Sequence, residues 1–509
     1  MFKHSYKHRI FIFSLVAVSV VGLLLNFAET ANAQTTTTNQ PEISLPNTPA
    51  GNTVKAFIEA INSGDKAKML KFHLDRSDGS ADAKSEAEEN SGKDFGFYEQ
   101  SGGVKVIRIL SADEDEIEVV VQPKKGGREL SLKMMVSTTP PYPVEMIGIR
   151  PFTPSTPAPE SVKTKKALTP QELPREVESY LDKLSQEDKF SGVALVAQDG
   201  KPLFQKAYGQ ANKSHNIANN LTTKFNLGSM NKMFTSVAIA QLVQRGKLSF
   251  DDKVGKILPD YPNKDVREKV TIHHLLTHTS GLGSYWNKKF DEKRMTIRTV
   301  ADYLSLFAED PLLFEPGVRF NYSNSGFIVL GAIIEKVTGQ NYYDYARENI
   351  FKPAGMNDTD YYEQSKQTPN LAMGYTTHNA ENARVENTSS RPNRGGPAGG
   401  GYSTVGDLVK FHQALQSGKL INAETLKTIT SAKGKDPKNG YAYGFGNRVV
   451  NGKHSFGHNG GAPGISAELT MFPETNVTVV LLSNYDPENL MPVMQTVMQM
   501  VTQTSFQNL

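Results

Sequence analysis

In the C-terminal part of the chain, period-two strand patterns occur at two widely separated places, and nearly everything between them has the spacing of helices and loops. Gly192–Gln198 and 202–208 read as a hairpin across Asp199 and Gly200, a pair suited to a tight turn. Strand patterns return only at 443–450, Ile465–Phe472 and Val477–Ser483, and helical patterns at 172–184 and 489–502 lie outside them. Backbone groups of a strand need partners, so both sets are expected in one antiparallel sheet that the chain leaves and rejoins. The expected class is α+β, an antiparallel sheet flanked by helices with an all-helical subdomain from about residue 229 to 430.

At 509 residues the chain exceeds what one core usually accommodates, so a further domain is expected upstream. Lys3, Lys7 and Arg9 precede an apolar run at 10–25, and Thr30, Ala31, Asn32 and Ala33 supply a small-residue cleavage site. Residues 1–33 therefore read as a cleavable secretory signal, with export to a periplasm or beyond; an uncleaved membrane anchor is the alternative. Cleavage removes three bases and one acid, Glu29, so the formal charge falls from +3 to +1 and gives no reason to expect a nucleic-acid partner. With zero cysteines there is no disulfide, thiolate nucleophile, Cys-ligated zinc or lipidated cysteine, which for an exported chain suits a bacterial source.

Residues 34–50, rich in Thr, Asn and Pro, read as a disordered tether. In 51–150, helical patterns on Val54, Phe57, Ile58 and Ile61 and on Met69, Leu70 and Phe72 precede a polar stretch, 78–92, expected to be loop. Strands are expected at 104–110, 117–121, Leu130–Val136 and 144–149, making a small α+β domain with an antiparallel meander. With its FIEAINSGD phrase, that element order resembles NTF2-like or cystatin-like modules, which implies either a spacer or a ligand cone. Residues 151–170 carry five prolines and form a semi-rigid linker, leaving 171–509 as the second domain.

Three groups in that domain carry chemistry. In NLGSMNKMFTSVAIAQLV, 226–243, Ser229 and Lys232 stand three apart at the start of a pattern read as an amphipathic helix, so both can share one face. A seryl hydroxyl needs a nearby group to take its proton, which a lysine does only when its surroundings strip its charge. The competing reading is a capping serine and a solvated lysine. The other S-x-x-K, Ser63 to Lys66, spans Gly64 and Asp65 and suits a turn. The second group is Tyr322-Ser323-Asn324 before the helical 327–337, in competition with Tyr261-Pro262-Asn263 and Tyr285-Trp286-Asn287, which are read as lying in loops without a following helix. The third is Gly457-His458-Asn459-Gly460-Gly461, read as lying between two late strands, with Lys438-Asn439-Gly440 as its competitor. His278 and Ser280, in HHLLTHTSGL, read as structural hydrogen bonders in a helix-ending turn. No G-x-S-x-G elbow, phosphate loop or H-E-x-x-H helix is present.

S-x-x-K, then Y-x-N, then H-x-G, with FSGVALVAQDGK, AGGGYSTVGDLVKF and GHNGGAPG between and around them, is similar to the serine β-lactamase and penicillin-binding-protein superfamily. Within it the pattern resembles the group of class C β-lactamases, D-stereospecific aminopeptidases, DD-carboxypeptidases and lactamase-like esterases. The resemblance implies a metal-free and cofactor-free serine hydrolase acting on small ester, amide or peptide substrates. Ser229 would be the nucleophile, Lys232 and Tyr322 the proton shuttle, Asn324 the holder of substrate and lysine, and Ser229 and Gly461 N–H the oxyanion hole beside Gly460. His458 stands where the β-lactamases proper carry lysine, so anchoring of an anionic substrate is expected to be weak. Esterase or peptidase chemistry is therefore preferred. A DD-carboxypeptidase or weak β-lactamase is the alternative, and a non-catalytic cell-wall sensor the third reading.

Overall fold

The computed structural model describes residues 43–77, 83–127, 129–136, 143–152, 167–377, 383–434 and 440–506. The secretory signal expected at 1–33, most of the 34–50 tether, 153–166 of the linker, and Lys438-Asn439 lie outside them. The chain divides into two compact units, 1–155 and 156–509.

In the first unit, helices Pro49–Asn62, Lys66–Asp75 and Ala83–Ser101 precede four sequentially paired antiparallel strands, Val104–Ala112, Glu116–Pro123, Leu130–Val136 and Val144–Pro151. Thr48 and Asp65 cap the first two helices by accepting the N–H groups of Gly51 and Ala67. Val54, Phe57, Ile58 and Ile61 pack on Ile117, Val119, Leu132 and Met134, the inward positions of the sheet. The helix Ala83–Ser101 corrects the loop expected up to residue 92. Its polar run hides the periodicity, but Ala, Lys and Glu are good helix formers, and Phe95, Phe97 and Tyr98 tie its end to the core.

The second unit is built on seven antiparallel strands in the order 440–441, 446–450, 453–462, 465–472, 477–483, 192–198, 201–208. The chain thus leaves this sheet after Tyr208 and rejoins it at Gly440. Val477–Ser483 is buried throughout because both faces are covered. Val477, Val479 and Leu481 meet helices Leu173–Gln186 and Pro487–Gln503, whereas Val480 and Leu482 meet the larger core around helix Lys232–Gln244. That helix is not amphipathic, since every residue from Lys232 to Leu242 is buried. Two of its polar side chains find internal partners: the Thr235 hydroxyl donates to Pro397 O at 2.7 Å, and the Gln241 amide to Asn349 O at 2.9 Å. Lys453–Ala462 is a further strand, so the H-x-G group lies within the sheet and not between strands. Its glycines and polar residues carry little strand propensity, and pairing on both sides supplies the order. Among the described residues no helix is long and apolar enough to cross a membrane.

Candidate active site

Ser229 lies in a 3₁₀ turn, Gly228–Asn231, immediately before helix Lys232–Gln244, and is partly exposed. The turn is held from outside. Asn226 Oδ1 accepts the Gly228 N–H at 2.8 Å, Leu227 N–H donates to Gly401 O at 2.8 Å, and Gly400 N–H donates to Gly228 O at 3.2 Å. Asn231 Oδ1 accepts the Gly401 N–H at 2.9 Å. The glycine run 399–401 therefore runs as a brace along the Ser229 turn. Gly228 adopts φ +50°, and a Cβ there would come within 2.9 Å of Gly461 N. A Cβ on Gly460 would fall 1.8 Å from Leu227 O and 3.0 Å from Ser229 N. The H-x-G strand thus meets the Ser229 turn backbone to backbone.

Lys232 is fully buried, and its Nζ donates to Asn324 Oδ1 and to Ala398 O, each at 2.7 Å. Burial without a carboxylate partner holds its pKa well below the usual lysine value. Two carbonyls occupy two N–H bonds of a neutral amine and leave its lone pair free to take a proton. Asn324 is placed by the helix Asn324–Thr338, which starts earlier than the sequence pattern suggested because Ser323 caps it, accepting the Gly326 N–H at 3.2 Å.

Tyr322 immediately precedes that cap, with 41% of its surface exposed, its ring centroid 4.8 Å from Lys232 Nζ and its hydroxyl close enough to Ser229 to interact with it. Desolvation raises its pKa above the usual tyrosine value, and the interaction with Ser229 opposes that rise. The competing triplets are accounted for differently. Tyr261 and Tyr285 are buried, and, contrary to expectation, each is followed by a short helix, 264–269 and 288–293, which Asn263 and Asn287 cap. Ser63 and Lys66 flank the turn between two helices, and Lys66 lines an open hollow of about 430 Å³ with Ala67, Leu70, Glu88 and Ser91.

His458 is buried. Its Nδ1 bonds the Asn459 carbonyl, which can only accept, so Nδ1 carries the proton and Nε2 accepts the Tyr441 hydroxyl at 2.8 Å. Burial, the largest cause, lowers its pKa to about 3 against the Asn459 bond, so the ring is neutral at pH 7. His278 is wholly buried, its Nδ1 accepting the Ser323 N–H at 3.0 Å. Burial holds it in the neutral form. The structure thus gathers Ser229, Lys232, Tyr322, Asn324, Gly460 and Gly461, with His458 on the same strand. Sequence reading missed Ala398, whose contribution is a carbonyl, and Tyr441, which belongs to no motif. The AGGG phrase pointed to the first, and nothing pointed to the second. No group of three or more His, Asp or Glu residues that could hold a metal occurs among the described residues.

The Beta-lactamase family model matches residues 177–497. PbpX of Bacillus subtilis (strain 168), named as a candidate penicillin-binding protein, is 31% identical over 322 residues, 63% of this chain and 76% of that one. The crystal structure of a penicillin binding protein from Bacillus halodurans is 33% identical with a TM-score of 0.56, covering 62% of this chain and 98% of that one. A D-stereospecific amidohydrolase from Streptomyces sp. shares the fold at 24% identity and a TM-score of 0.54, covering 64% of this chain and 97% of that one. The matched residues 177–497 fall in the second unit.

Proposed function

The chain belongs to the beta-lactamase family, and from that premise we propose that it is an exported serine hydrolase cleaving ester or amide bonds of small or peptide-like substrates through an acyl-serine. The observation that carries this reading is the buried Lys232 amine, held by two carbonyls at 2.7 Å and one residue after the turn that carries Ser229. Ser229 Oγ attacks the carbonyl carbon as its proton passes to Lys232, with Tyr322 completing the path to the leaving group. The negative charge on the former carbonyl oxygen is met by the Ser229 and Gly461 N–H groups, a device worth about 3 kcal/mol per donor. Water then attacks the acyl carbon, its proton returns through the same groups, and Ser229 is regenerated. Asn324 keeps the amine in place, and its amide nitrogen is available to the substrate.

Ser229→Ala is expected to abolish both turnover of p-nitrophenyl esters and labelling by a fluorophosphonate probe. Labelling that survives that change refutes the assignment. The names of PbpX and of the Bacillus halodurans protein favour a second reading, action on cell-wall peptides or β-lactams. Against it stands the neutral His458, which offers a substrate carboxylate no fixed charge. A D-Ala-D-Ala peptide, nitrocefin and a p-nitrophenyl acyl ester assayed side by side separate the two. Export is supported by the basic, apolar and small-residue succession in 1–33.

A further inference from the structure

His278 touches the chain on both sides of Tyr322. Its backbone carbonyl accepts the Asn321 N–H at 2.8 Å, and its ring Nδ1 accepts the Ser323 N–H at 3.0 Å. The imidazole also lies against the phenol itself, ring centroids 4.2 Å apart and planes 34° from parallel. From this geometry we infer that His278 is a positioning residue for Tyr322, a clamp that fixes the residue before and the residue after it and so sets where the phenol meets Ser229. The inference rests on the reading above, in which Tyr322 carries a proton to or from the reacting atoms.

The clamp has features that simple core packing does not require. His278 adopts φ +59°, a left-handed conformation that few side chains tolerate, at the end of helix Ile272–Leu276. Thr279 N–H donates to His274 O at 2.9 Å and closes that turn, so the backbone carbonyl of His278 is free to face Asn321. Because Ser323 donates to Nδ1, the neutral ring carries its proton on Nε2, which is buried without a hydrogen-bond partner. Rings of Phe320, Phe327 and Tyr441 surround it at 5.6, 5.2 and 4.6 Å. A leucine would fill that space without an unsatisfied donor, although it would have to hold the same left-handed backbone. What an imidazole adds at this place is one acceptor, and that acceptor is spent on the residue next to Tyr322.

The test is a double-mutant cycle in the full chain with His278→Leu, His278→Asn, Tyr322→Phe and each pair, read by kcat and KM for a p-nitrophenyl ester and by fluorophosphonate labelling. Asparagine tolerates left-handed backbone and keeps an acceptor near the Nδ1 position. His278→Leu is expected to lower kcat by about 100-fold, as misplacement of a catalytic group by about 1 Å does, with KM within about threefold. His278→Asn recovers at least about tenfold of that loss. Combined with Tyr322→Phe, either change costs less than about threefold more, because the clamp has nothing left to position. If the leucine variant does not fold, the asparagine variant carries the cycle. Losses that multiply independently of Tyr322→Phe, or a folded His278→Leu within threefold of the parent, overturn the inference while leaving the site reading intact. An unimpaired Tyr322→Phe overturns both.

Discussion

Gly460→Ala adds one methyl group at the point where the H-x-G strand meets the turn of Ser229. The added carbon would lie 1.8 Å from Leu227 O, 2.8 Å from Leu227 C and 3.0 Å from Ser229 N, all of them backbone atoms. Van der Waals contact between such atoms needs about 3.5 Å, so strand and turn must separate by about 1.7 Å. No rotamer can relieve this, because neither partner is a side chain. Overpacking of this kind costs about 1–3 kcal/mol of stability, small enough for the unit to fold. The catalytic cost is larger. Displacement by about 1 Å of groups that must act together lowers the rate by about 100-fold, equal to about 2.7 kcal/mol of barrier. Gly406→Ala is the control: its Cβ meets nothing within 4 Å, and the residue sits in helix Val405–Gln416, where alanine gains up to about 1 kcal/mol. Purified variants would be compared by kcat/KM on a p-nitrophenyl ester, fluorophosphonate labelling rate and urea unfolding. A Gly460→Ala protein that labels Ser229 at more than half the parent rate would refute the claim that these two backbones are in contact.

Further outcomes follow from the same contacts. Asn324→Ala removes one of two acceptors from the Lys232 amine, and kcat is expected to fall at least about tenfold, whereas Asn324→Asp places a carboxylate beside the amine, favours its protonated form and moves the acid limb of kcat/KM to higher pH, as a pH–rate profile would record. Burial lowers the Lys232 pKa in the folded protein below its ordinary value of 10.5, so between the lowered value and 10.5 the unfolded chain binds more protons. The Lys232 contribution to stability therefore rises with pH across that window and is flat on either side; urea midpoints of the parent should rise relative to Lys232→Met there, and a constant difference would contradict a buried amine. Asp407 is buried and accepts the Asp358 N–H at 2.7 Å, the Thr359 hydroxyl at 2.9 Å and Lys410 Nζ at 2.8 Å; Asp407→Ala should cost about 2–4 kcal/mol by chemical denaturation, from donors left without an acceptor.

The returning sheet was readable because its outer elements obey simple periods. The 192–208 hairpin has its Asp199-Gly200 turn, and Val477–Ser483 is apolar enough to be a strand buried on both faces. Two elements resisted for opposite reasons. Lys453–Ala462 is strand by virtue of its neighbours and reads as loop by composition, while Ala83–Ser101 is helix by propensity with too little apolar periodicity to mark its inner face. Helix Lys232–Gln244 was recognisable as helix, but its surroundings were not, because Thr235, Ser236 and Gln241 look solvent-facing until the partners of Thr235 and Gln241 are known.

At the site, motif reading finds side chains and overlooks backbone, and this site is made of both in nearly equal measure. Lys232 is held by one side-chain carbonyl and one peptide carbonyl, Ala398 O, and at the latter the side chain is immaterial to the bond. Close approach of the Ser229 turn to its two flanking segments requires glycine at 228, 399 and 460, since a Cβ on Gly399 would sit 2.8 Å from Gly228 O. Such positions carry no side chain that could donate a proton, yet a methyl group at any of them opens the space in which the hydroxyl, amine and phenol would meet. The same logic makes His278 more than filler: it acts on Tyr322 through the peptide groups on either side, a contact that no spacing of chemically active residues can announce.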